Sequence, residues 1–235
     1  MPWAIRTFLL LAWALLSQGA HAQAPAMRAD MERHVAACIT CHGRGGQASN
    51  SEYFPRLAGK PADYLFEQLR SFRDGRRQQA EMSYLLTNLT DGYLREMARY
   101  FAEMDLPYPA PVPPDLSATE LARGKDLVYE GDALRGIRAC VLCHGDSLTG
   151  LPPGIPGLLG LPRLYIAAQL GGWVTGERRA LAPDCMAEVG RRLNAEDIRA
   201  LAGWLSTLPM AAHGRESGRP SPGASVNCSA MEDRR

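Results

Sequence analysis

Two stretches decide the fold of this chain: Cys38-Ile39-Thr40-Cys41-His42 and Cys140-Val141-Leu142-Cys143-His144. In a Cys-x-x-Cys-His segment the two thiols can add across the vinyl groups of one haem as thioethers. The histidine that follows on the same helical turn supplies an imidazole to the iron. A thioredoxin-like thiol pair needs no such histidine, and a zinc site needs more ligands than either neighbourhood holds. With six cysteines in the chain, one chance match would be tolerable. Two matches with similar surroundings are not chance. The sequence therefore predicts two covalently bound haem c groups, each with its iron. One is carried by Cys38, Cys41 and His42, the other by Cys140, Cys143 and His144.

Outward from the motifs, the chain is one design written twice. Phe54-Pro55-Arg56-Leu57-Ala58-Gly59 matches Ile155-Pro156-Gly157-Leu158-Leu159-Gly160. Pro61 then matches Pro162, Tyr64 matches Tyr165, Gln68-Leu69 matches Gln169-Leu170, Phe72 matches Trp173, and Gly75 matches Gly176. The pattern is helical throughout. A first short helix runs from Asp30 to Cys38, with the haem motif at its end. Pro61 and Pro162 open a second helix at a position that tolerates proline, and Tyr64, Leu65, Gln68, Leu69 and Phe72 recur at helical spacing. Thr90 and Asn194 are expected N-caps of the last helix in each half. Nothing reads as a sheet.

The sixth ligand carries the functional argument, because an open iron site would be catalytic. Among the five histidines, His42 and His144 are proximal, and His34 is too near Cys38 to reach the far face of its own haem. His21 precedes the expected cleavage site and His213 lies in the tail, so methionine is the natural substitute. Its thioether is a soft, neutral donor that favours ferrous iron and raises the potential. Met82 ahead of Leu89 and Met186 ahead of Leu193 occupy equivalent places in the repeat. They are the expected axial ligands. Cys185, beside Met186, has no counterpart in the first half, where Glu81 stands. Three readings stay open for it: a disulfide with Cys228, a thiolate ligand to the second iron, or a thiol of no consequence.

Arg6 followed by the apolar run Thr7 to Leu16, then Ala20-His21-Ala22, reads as a secretory signal peptide over residues 1–22. That run is too short to span a bilayer comfortably, and the mature chain has no transmembrane segment. Secretion places the protein in the periplasm. The expected organisation is an N-terminal haem domain over 23–106, a Pro-rich linker over 107–116, a C-terminal haem domain over 117–210 and a flexible tail over 211–235. The stretch Leu106 to Pro114 can sustain neither helix nor inner strand. A net charge of +1 gives no case for nucleic acid.

On these motifs the chain resembles the dihaem cytochrome c4 family, over about residues 30–209. The resemblance implies an all-α fold of tandem class I cytochrome c domains, each wrapped around one covalent haem. It implies transfer of single electrons between respiratory or dehydrogenase partners and a terminal acceptor such as an oxidase, with no catalytic residue. Its partners would be redox proteins, either membrane respiratory complexes or a periplasmic dehydrogenase. It also implies that Pro55 and Pro156 lie on the proximal side, where the imidazole donates its other N–H to a backbone carbonyl. Two alternatives accompany this reading. One is a thiosulfate-oxidising dihaem enzyme with an unusual second-haem ligand, whose activity depends on Cys185. The other is a permanent electron-transfer subunit of a dehydrogenase. Arg56, Arg76, Arg77, Arg178 and Arg179 are open to propionate pairing or partner contact, and a solvated surface is the simpler reading of each.

Overall fold

Helix starts follow the capping residues. Pro61 and Pro162 stand as N-caps of α2 (Ala62–Arg73) and α7 (Arg163–Thr175). Thr90 accepts from the Tyr93 N–H at the head of α4 (Asp91–Ala102). Asn194 and Asp197 form a reciprocal capping box at the head of α9 (Ala195–Ser206), and Ser117 and Glu120 do the same for α5 (Ala118–Tyr129). Such caps satisfy backbone donors that the helix itself leaves orphaned, each for about 1 kcal/mol. The computed structural model describes residues 30–48, 53–210 and 227–231. The signal-peptide reading and most of the tail lie outside these residues.

The expected first helix is broken. Residues 30–34 are helical, Val35 leaves helical geometry, and α1 (Ala36–His42) then carries the whole first motif. In the second half the motif has only the short α6 (Val141–His144), separated from α5 by a loop with a 3₁₀ turn at Ala133–Arg135. That loop turns at Gly131, which has φ 75°, and a Cβ there would lie 2.3 Å from the Ile137 carbonyl oxygen. Only glycine fits. Two further helices were not foreseen as separate elements. Met82 sits on α3 (Ala80–Leu86) and Met186 on α8 (Cys185–Gly190). Each is too short to show a helical period in sequence. Among the described residues there are isolated bridges but no strand, as expected.

Each half has its own core. Val35, Phe66, Leu94, Met97 and Phe101 anchor the first; Leu127, Val128, Leu148, Leu201 and Leu205 anchor the second. In the second, α5 and α9 approach so closely at Gly124 that a Cβ would lie 2.2 Å from the Ala200 oxygen. The connector after α4 is extended, as its prolines require, and it is pinned. Arg56, buried, donates to Ala58 O at 2.9 Å, to Pro107 O at 2.9 Å and to Leu106 O, and its guanidinium lies 4.0 Å from the Tyr108 ring centroid. The solvated-surface reading of Arg56 is thereby corrected: the side chain clamps the linker onto the first half.

The halves meet through the turns that follow α2 and α7. Gln78 N–H donates to Glu177 O at 2.9 Å and Arg179 N–H donates to Arg76 O at 2.7 Å, which sets Arg77 opposite Arg178.

Candidate functional site

His42 and His144 are buried at the ends of α1 and α6, and each is oriented by one bond. His42 Nδ1–H donates to Pro55 O at 2.8 Å, and His144 Nδ1–H donates to Pro156 O at 2.7 Å. A proton fixed on Nδ1 leaves Nε2 as the donor nitrogen toward a metal. Burial, partly offset by the Pro55 bond and reinforced by the Arg77 charge, holds His42 below its usual pKa, so the ring is a neutral donor.

Both rings face a cavity of about 760 Å³ that runs through the two halves. Its wall brings together Cys38, Cys41, His42 and Met82 with Cys140, Cys143, His144 and Met186, so all eight residues singled out in the sequence border one space. Leu65, Leu69, Phe72, Leu89 and Met97 line it in the first half; Ile166, Leu170, Val189, Leu193 and Leu201 line it in the second. Chains of this size normally close on side chains alone. Here the cores are built around space for something large, flat and apolar.

The cysteines of both motifs are unpaired. Burial, with the neighbouring Cys143, pushes the Cys140 thiol up to about 12, and burial raises Cys38 and Cys143 as well. A dithiol redox site needs the opposite shift, so the thioredoxin-like reading fails on chemistry as well as on motif. Among the described residues no group of three or more His, Cys, Asp or Glu side chains is placed to hold a metal ion, which removes the zinc reading.

Polar groups gather where the two halves of the cavity meet. Arg77 donates to Gln68 Oε1 at 3.0 Å, to Gln169 Oε1 at 2.6 Å and to the Tyr165 hydroxyl at 3.3 Å. Arg178 mirrors it, donating to Gln169 Oε1 at 2.7 Å and to Gln68 Oε1 at 3.1 Å. Both are buried, and among the described residues no carboxylate pairs with either. Burial and the facing Arg77 pull Arg178 below its usual pKa, yet it stays a cation at neutral pH. The solvated-surface reading is wrong for this pair too. Each guanidinium also caps an aromatic ring of its own half: Arg77 lies 4.4 Å from the Phe72 ring centroid and Arg178 lies 3.9 Å from that of Trp173. The signal was present in sequence, since Gly75-Arg76-Arg77 and Gly176-Glu177-Arg178 occupy equivalent places in the repeat. Charge alone pointed outward. By contrast, Arg76 pairs with Asp74 at 2.9 Å, and Arg179 is exposed.

Cys185 is joined to Cys228, with their Cα atoms 5.7 Å apart. The disulfide reading is the one realised. The thiolate-ligand reading of Cys185 is corrected by it, because its sulfur is committed to a covalent bond.

Comparison with known proteins agrees with this geometry. The thiosulfate dehydrogenase electron acceptor of Thiomonas intermedia is 36% identical over 208 residues, covering 88% of this chain and 90% of that protein. The cytochrome c4 of Pseudomonas aeruginosa is 34% identical over 176 residues, covering 74% of this chain and 85% of that one. The crystal structure of reduced recombinant cytochrome c4 from Pseudomonas stutzeri superposes with a TM-score of 0.66 at 30% identity, covering 75% of this chain and 96% of that one. The chain belongs to the cytochrome c4 family. It is an all-α, dihaem electron-transfer cytochrome with two covalent c-type haems. No family model matches the chain. Among the described residues no helix is long and apolar enough to cross a membrane.

The residues fit that cofactor on this chain's own evidence. The cavity is apolar where a porphyrin needs it. It is cationic at the junction of the halves, where Arg77, Arg178 and the buried Lys60 line it. The buried Trp173 indole N–H, also on the wall, has no acceptor in the polypeptide. A haem propionate would supply the missing anion and acceptor together.

Proposed function

We propose that Cys38, Cys41, His42 and Met82 hold the first haem, and that Cys140, Cys143, His144 and Met186 hold the second. The observation that carries this assignment is the duplicated proximal bond, imidazole to proline carbonyl, facing a methionine across one cavity in each half. When bound, each haem supplies one-electron Fe(III)/Fe(II) chemistry. The polypeptide does the rest. His42 and His144 hold their rings in one tautomer and orientation. Met82 and Met186 close the far positions with neutral thioethers, which leaves no vacant site for a small substrate. The apolar walls exclude water and so favour the less charged, reduced state. Arg77 and Arg178 neutralise the propionates where the halves meet.

The domains follow the repeat: 23–106 and 117–210 are the two haem units, and 107–116 is the linker. The compartment is the periplasm, reached through the signal peptide over 1–22. Among redox partners, the names of the relatives favour a thiosulfate dehydrogenase as electron donor, with a terminal acceptor such as an oxidase downstream. The chain is then an electron acceptor of that enzyme rather than the enzyme itself, since Cys185 is bound in a disulfide and Met186 is left as the distal donor.

The test is a spectroelectrochemical titration of the purified holoprotein, following the ferric methionine–iron band at the red edge of the visible spectrum. Two low-spin centres that both show the band at relatively high potential are expected. A second centre lacking the band, at a markedly lower potential, would remove Met186 from the ligand set. Reduction of the oxidised protein by a thiosulfate dehydrogenase and its substrate tests the partner.

A further inference from the structure

The halves differ most at the helices that bear the methionines. In the first half the residue before Met82 is Glu81, exposed, and Tyr84 and Leu85 on the same helix are 83% and 45% exposed. In the second half the residue before Met186 is Cys185, tied to Cys228 across 43 residues of sequence. The tail was expected to be flexible, but 227–231 is fixed on the protein. Its Ser229 N–H donates to Pro183 O at 3.1 Å, and Met231 N–H closes a 3₁₀ turn on Cys228 O at 2.9 Å. The Ala230 carbonyl presses on Gly154 so closely that a Cβ there would lie 2.6 Å from its oxygen. Cys228 and Ser229 are buried, and with Ala230 they form part of the cavity wall.

The segment therefore touches both sides of the second chamber. Pro183 and Cys185 lead into the methionine helix. Gly154 leads into Pro156, whose carbonyl orients His144. The first half has no equivalent bridge among the described residues. We propose that residues 227–231 are a strap that closes the edge of the second haem chamber and holds Met186 in place, so that the second haem is shielded and the first is the port for external partners. This rests on the assignment of Met186 as a ligand.

The physical logic is local stability. α8 has six residues, and a helix so short holds its shape only through tertiary contacts. A chain end with two backbone bonds would fray without a covalent tie. An exogenous ligand reaches a haem with both axial positions filled only when the methionine swings away. Its rate of entry therefore reports how often α8 opens.

The experiment uses ferric holoprotein and cyanide as probe, with the two haems resolved by the shifted methyl signals of their axial methionines. The disulfide of the folded protein is opened with a phosphine, which is oxidised to its oxide as the two thiols form. Both thiols are then capped with iodoacetamide and the haems are reoxidised. The expected result is cyanide entry at the second haem at least tenfold faster than in untreated protein, with the first haem unchanged. A Cys185→Ser/Cys228→Ser holoprotein should behave alike. An unchanged rate at the second haem, or equal acceleration at both, overturns the strap. If untreated protein shows only one axial-methionine signal, the assignment of Met186 and the strap fall together. Two signals with no effect of opening the disulfide sink the strap alone.

Discussion

Replacing Arg178 by methionine removes a buried cation while keeping the bulk of its stem. The two glutamine oxygens it serves lose little, because Gln68 and Gln169 also accept from Arg77 at 3.0 and 2.6 Å. No polypeptide acceptor is orphaned. Two terms remain. The guanidinium leaves the Trp173 ring, whose centroid lay 3.9 Å away, a loss of about 1 kcal/mol. The larger one is a propionate left buried without its partner. Removing one member of a buried ion pair costs about 3–5 kcal/mol, and no other cation replaces a guanidinium with two parallel arms. The holoprotein should therefore lose about 4–6 kcal/mol on guanidinium denaturation. An unbalanced carboxylate also favours ferric iron. Redox titration should show the reduction equilibrium of the adjacent haem falling at least about tenfold, or 59 mV for one electron. Arg178→Lys keeps the charge and should recover most of the potential but not all of the stability. If Arg178→Met changes neither the unfolding midpoint nor either potential, the guanidinium does not face a propionate and the cationic junction is only a domain contact.

Other expectations concern the scaffold. Asp197 is buried; burial alone would raise its pKa, but bonds from Arg135, the Asn194 N–H and Arg123 hold it below the usual value. A depressed folded-state pKa stabilises above the unfolded value near 3.8 and is lost as pH falls through the folded one. Asp197→Asn should thus cost about 1–2 kcal/mol at neutral pH, discounted for the half-exposed arginines, and the deficit should shrink in acid-denaturation curves below that pKa. Gly124→Val must push α5 from α9 at a contact of 2.2 Å, with a loss of about 3 kcal/mol or more and a lower thermal midpoint for the second half. Arg56→Ala frees the linker from Ala58, Leu106 and Pro107; limited proteolysis should then cut between the halves faster, with both haem spectra retained.

The sequence by itself settled the cofactor, the number of haems, the helical class and the proximal and distal residues to examine. These are local facts. Thioether attachment needs two cysteines and a histidine on one helical turn, and a duplicated core repeats its apolar period wherever it is built. Caps such as Thr90 and Asn194 were legible for the same reason, since each serves a backbone donor three residues away. The short helices under Met82 and Met186 were not, because six or seven residues carry too little period and owe their shape to the cavity they border. Only the tertiary structure decided where the charges go. Arg56, Arg77 and Arg178 look like surface residues in any window, yet their burial depends on partners 50 to 110 positions away. It also chose among the readings of Cys185, a choice that turned on whether Cys228 comes within bonding distance. Proximity between distant segments is set by packing, and no stretch of sequence records it.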